Sequence, residues 1–71
     1  MAEEIRAEIV ASVWKVVAAT GVNLAAGDTV VILESMKMEI PILPEHGGRV
    51  GRIAVEAGDV VQEGDLLVVL D

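Results

Sequence analysis

Seventy-one residues, 54% of them apolar, make one small folded domain spanning 1–71, with no room for a cleft enclosed by a second one. Twelve acidic side chains against five basic give a net charge of −7, and Trp14 is the single aromatic, so the surface repels phosphate backbones and offers no series of rings for bases; no nucleic acid partner is expected. The lack of Cys excludes disulfides, thiolate nucleophiles and Cys-based metal sites, no stretch approaches the ~18 apolar residues of a membrane span, and the acidic first ten positions do not read as a leader, so a cytoplasmic protein is expected.

The first strand predicted along the chain runs from Ser12 to Ala18, rich in Val and bounded by Thr20-Gly21. Gly27-Asp28 marks a turn, and Thr29 to Leu33 is a short apolar strand. After Glu34-Ser-Met-Lys-Met-Glu39 comes another apolar run, Ile40-Pro-Ile-Leu43, whose prolines Pro41 and Pro44 suit an edge strand or its end because proline donates nothing to a ladder. His46 lies in the loop Pro44-Glu-His-Gly-Gly48, without a second His or a Cys to share a metal. Arg49 to Val55 and Leu66 to Leu70 complete the strands, separated by turns at Gly58-Asp59 and Gly64-Asp65. No window longer than about ten residues keeps a helical apolar stripe free of Gly.

A shift of 37 positions lays the chain on itself without a gap. Ile5 falls on Ile42, Glu8 on Glu45, Val13 on Val50, Gly21 on Gly58, Gly27 on Gly64, Asp28 on Asp65, Val31 on Val68 and Leu33 on Leu70. The protein is thus two copies of one supersecondary unit, each too small to bury a stable core alone. The duplication predicts two small antiparallel sheets facing each other as a flattened barrel or sandwich. By the same shift Glu34 pairs with Asp71, so Ser35 to Pro41 links the halves, and its symmetry mate is the gap between the chain ends. A spatial twofold would put Lys37 at one end of the molecule and the termini at the other.

That link breaks local rules. A two-residue turn centred on Met36 and Lys37 places Ser35 opposite Met38 and Glu34 opposite Glu39, so like charges face each other, and the turn positions that favour Asn or Gly hold neither. Such conflicts concentrate where function overrides folding. The residues alone leave two readings open: a plain surface lysine over methionines folded into the core, or a functional tip.

Glu34-Ser-Met-Lys-Met-Glu39 resembles the E-A-M-K-M motif of the biotin carboxyl carrier domains of biotin-dependent carboxylases and decarboxylases. The likeness covers nearly the whole chain, including the Gly-Asp turns and the two homologous halves. It implies an all-β flattened barrel of two four-stranded antiparallel sheets, with biotin joined through an amide to Lys37 by a biotin protein ligase. It also implies that Glu34, Ser35, Met36 and Met38 are read as the recognition hairpin, that the partners are biotin carboxylase and carboxyltransferase subunits, and that the domain carries activated CO2 without catalysing. The free domain is expected to be monomeric. The related lipoyl domains usually place Asp before the lysine and Ala after it, where this chain has Met36 and Met38; a lipoyl-type acyl carrier, or an unmodified interaction module, is the alternative. Ser35 replaces the common Ala, Ala11 stands where many carriers have Gly, and Val22 stands where its repeat mate is Asp59. The gap-free repeat leaves no place for the protruding thumb of some acetyl-CoA carboxylase carriers. Trp14 is expected to be partly buried or to cover a barrel end.

Overall fold

The computed structural model describes residues 2–71 and consists of eight strands among them, with no helix. In chain order these are β1 (Glu3–Arg6), β2 (Ala11–Val16), β3 (Asn23–Ala25), β4 (Val31–Ser35), β5 (Met38–Ile42), β6 (Gly47–Ile53), β7 (Val60–Val61) and β8 (Leu66–Leu70). They form two four-stranded antiparallel sheets, β1-β8-β6-β3 and β5-β4-β2-β7. Relative to the sequence reading, β8 keeps its bounds, β2, β4, β5 and β6 shift by one to two residues, and the short β1, β3 and β7 are additional. The two or three residues of β7 and β3 are too few to show alternation, and the four of β1 carry a single buried residue, Ile5, so these strands have little pattern of their own.

The 37-residue repeat is a spatial symmetry. It exchanges β1 with β5, β2 with β6, β3 with β7 and β4 with β8, which turns one sheet order into the other. Individual hydrogen bonds obey it: Gly21 N–H donates to the Val50 carbonyl and Gly58 N–H to the Val13 carbonyl, both at 2.8 Å. So does the core, where Val13 and Val50, Val31 and Val68, and Leu33 and Leu70 are buried in pairs between the sheets. Both copies also carry a β-bulge at one place, at Trp14 between Val13 and Lys15 and at Gly51 between Val50 and Arg52.

The turns are built from one recipe. In Ala25–Asp28, Glu56–Asp59 and Gln62–Asp65 the third residue is a glycine with φ above 90°, and the aspartate accepts from the N–H of the first residue at 2.9 Å. Val22 holds the corresponding place in Ala19–Val22; this turn closes through the backbone alone, with Val22 N–H on the Ala19 carbonyl at 3.1 Å. The departure noted in the sequence removes one bond and leaves the turn intact.

The molecule measures 32 × 18 × 17 Å. β5 runs from the β4–β5 turn to Ile42, and the loop after it is clamped to the N-terminal strand. The Glu3 carboxylate accepts from the backbone N–H groups of Glu45, His46 and Gly47 at 2.7, 3.1 and 3.3 Å. The Lys37 turn and the clamp at Glu3 therefore stand at opposite ends of β5, five residues of strand apart. Pro41 lies on the edge strand β5, while Pro44 lies beyond it, buried as the mate of buried Ala7.

Candidate functional site

The hairpin that carries Lys37 is held by five register pairs, from Val31 with Ile42 up to Ser35 with Met38. Val31 and Leu33 are fully buried, and Ile40 and Ile42 pack against the same core, so one face of the hairpin is fixed by apolar burial. Register leaves two residues for the turn, and their backbone follows. Met36 has φ 53° and Lys37 φ 63°, which among the described residues are the sole non-glycine positions in the left-handed region. Positive φ at both central positions is the primed turn that matches strand twist, and each side chain there costs about 1–2 kcal/mol against an ordinary conformation. The sequence reading of a two-residue turn with Glu34 opposite Glu39 describes this register; the strain sits in the two residues that were least suited to it.

Strain has a geometric product. Met36 is 89% exposed and Met38 62%, so neither fills the core, and Lys37 projects between them into solvent. Ser35 is half-buried at the base of the turn, with Glu34 and Glu39 exposed behind it. The ion pairs among the described residues, Arg6 with Glu4 at 3.0 Å and Glu45 with His46 at 3.9 Å, involve none of these groups. The Lys37 amine is free for a reaction partner. No imidazole stands beside it, because His46 lies exposed in the loop beyond the far end of β5, and the nearby Glu34 and Glu39 carboxylates are weak bases for an ammonium. The arrangement can present an acyl acceptor; deprotonation must come from whatever enzyme receives it.

The clefts lie elsewhere. A groove of about 360 Å³ runs between β1 and β5, floored by Ile5 and Ile42 and walled by Glu4, Arg6, Pro41 and Leu43, and Lys37 does not line it. Trp14 lies on a sheet face and not at a barrel end: it is 50% exposed in the middle of β2, on the sheet that ends in the Lys37 hairpin. The sequence reading left its role open, yet the repeat held a signal, since its mate is Gly51.

Residues 4–70 match the family model described as "Biotin-requiring enzyme". The chain is 56% identical over 71 residues to the "Biotinylated protein TB7.3 homolog" of Mycolicibacterium smegmatis, covering 100% of each chain. It is 54% identical over 70 residues to the protein of the same name from Mycobacterium leprae, covering 99% of each. Among solved structures it is similar to the urea carboxylase of Kluyveromyces lactis, with a TM-score of 0.93 and 39% identity over 100% of this chain and 6% of that one. This chain thus corresponds to one small part of that much larger enzyme.

Proposed function

The chain belongs to the biotin/lipoyl attachment family of biotin-requiring enzymes, and from that premise we propose that Lys37 is the residue acylated by biotin and that the domain ferries activated CO2 between carboxylase active sites. Biotin is the cofactor, covalently held, and the domain is of a carrier type. The observation that carries the assignment to Lys37 is the left-handed turn, which holds an amine without an ion-pair partner among the described residues, at the end of β5 opposite the Glu3 clamp. Met36 and Met38 flank it as exposed apolar handles, and Glu34 and Glu39 set an acidic base beneath it.

In this reading the Lys37 amine, deprotonated inside a biotin protein ligase, attacks the acyl carbon of biotinyl-adenylate; AMP leaves and an amide forms. When attached, biotin supplies a ureido nitrogen that takes up CO2 at a biotin carboxylase and gives it up at a carboxyltransferase. The chain's own residues hold and position. The primed turn fixes where the arm starts, the acidic surface favours partners with basic rims, and tethering keeps the cofactor at high local concentration when the carrier is docked. In this reading the undocked carrier is monomeric and cytoplasmic.

Intact mass decides the assignment. Wild-type protein coexpressed with a biotin protein ligase and supplied with biotin is expected to gain one biotinyl group, and Lys37→Arg none. A biotinylated Lys37→Arg protein, or a lipoyl increment in place of a biotinyl one, would refute it.

A further inference from the structure

The internal duplication supplies a control for surface positions outside Ser35–Lys37, because each of those strand residues has a mate in the same structural place on the other sheet. On the outer face of the sheet β5-β4-β2-β7, Val60 pairs with Ser12, which pairs with Glu34, and Lys15 pairs with Ile32, which pairs with Pro41. On the other sheet the same places are held by Asn23 with Arg49, and by Arg52 with Val69 and Glu4. Trp14 corresponds to Gly51, where a Cβ would stand 2.6 Å from the Asp71 carboxylate. Ile32 and Val69 are matched half-buried aliphatics; around Val69 the face is polar and closed down at Gly51, while around Ile32 it carries Trp14, Val60 and Pro41. Val60 is 70% exposed and Trp14 50%. The other exposed large apolar residues outside the hairpin, Ile9, Val10, Val17, Val22 and Leu43, lie in connections and not on a sheet face.

We propose that this outer face, centred on Trp14 and Val60, is the docking surface for the biotin ligase that acylates Lys37. The inference rests on the reading of Lys37 as the acceptor. Three features point to that occupant. The face runs into the hairpin through Glu34 and Glu39, so an enzyme receiving Lys37 meets it next, and its acidic border calls for basic groups around an apolar centre on the partner. A solvent-exposed aromatic with aliphatic neighbours is the composition of an energetic centre in an interface, not of a carrier's inert skin. Finally, a ligase already holding its adenylate must choose its lysine from protein surface alone. The chain has two lysines, and the second, Lys15, lies beside Trp14 on this same face. A ligase seated on Trp14 covers Lys15 and leaves Lys37 to enter the active site, so the surface that binds also selects.

The test is steady-state biotin transfer by a purified biotin protein ligase with ATP and biotin, on folded wild type, Trp14→Ser, Val60→Ser and, from the opposite sheet, Asn23→Ser. We expect the KM of Trp14→Ser to rise about tenfold with kcat unchanged, Val60→Ser to rise several-fold, and Asn23→Ser to match wild type. In the Lys37→Arg protein, saturating ligase should also slow acetylation of Lys15 by an activated ester about tenfold, read by mass spectrometry. This readout and Val60→Ser decide the matter if Trp14→Ser fails to fold. Unchanged KM in the folded face variants with Lys15 left reactive overturns the proposal alone. Protection of Lys15 by the chain's own rising concentration, without ligase, overturns it in favour of a dimer. A wild type that takes no biotin overturns the Lys37 reading and the proposal together.

Discussion

Met36 and Lys37 adopt φ values of 53° and 63° because the strands on either side leave them no alternative. The register is set by Val31 and Leu33 on one strand and Ile40 and Ile42 on the other, and shifting either strand by one residue would turn its own pair out of the core. The turn is therefore strained by its neighbours, and relieving the strain separates stability from use. Met36→Asn puts a residue that tolerates left-handed φ at the first turn position and is expected to stabilise the domain by about 1 kcal/mol, raising Tm by roughly 4–8 °C. The same change removes an exposed thioether beside Lys37, so kcat/KM for biotin transfer should fall. A variant both more stable and equally good as a substrate would show that Met36 is not part of what the ligase reads.

At the scale of elements, the clamp between β1 and the β5–β6 loop is the contact with the clearest pH signature. The backbone N–H of Glu45 has the largest effect on the Glu3 carboxyl and lowers it; desolvation opposes this next, and the N–H groups of His46 and Gly47 with the His46 charge keep the carboxyl below the ordinary glutamate range. A carboxyl depressed in the folded state stabilises fully above its unfolded value and loses that contribution as pH falls through the folded one. Glu3→Gln keeps an acceptor and removes the charge, so its Tm should lie below wild type at about pH 7 and converge on it as the solution is acidified below the ordinary glutamate range. A gap that stays constant across that range in thermal melts would assign the clamp's value to hydrogen-bond geometry alone. Nothing in the sequence foretold this clamp, because Glu3 and Gly47 are joined only once two edge elements meet in space. What could be read was what repeats: Val13 with Val50, Leu33 with Leu70, and the Gly-Asp turns announced the paired sheets, and Met36-Lys37 between two strand runs announced the hairpin. β3 and β7 could not be read, since short strands take their conformation from the partner they bond. The Trp14 face stayed hidden for another reason: only the sheet register shows that Trp14, Val60 and Ile32, distant in sequence, share one surface.

The whole molecule is interleaved, not two units set side by side. The sheet β1-β8-β6-β3 takes β1 and β3 from the first copy and β6 and β8 from the second, and the sheet β5-β4-β2-β7 mixes the copies in the same way. Within the first copy β2 pairs with β4, while β1 and β3 find their partners in the second; within the second, β6 pairs with β8, while β5 and β7 find theirs in the first. An isolated half keeps one two-stranded ribbon with its apolar face uncovered, which is marginal at best in water. Chains 1–36 and 37–71 are therefore each expected to be unfolded by circular dichroism. Mixed in equal amounts they should recover strand signal with a concentration-dependent midpoint, since each half covers the other's Val and Leu face. Strand content in either half alone would mean that the unit folds first and pairs later. The interleaving also bears on function: a tip fixed by strands from both copies moves with the barrel as a whole, so Lys37 is delivered from a single rigid base and the reach of the arm is set by the lysine stem and its cofactor.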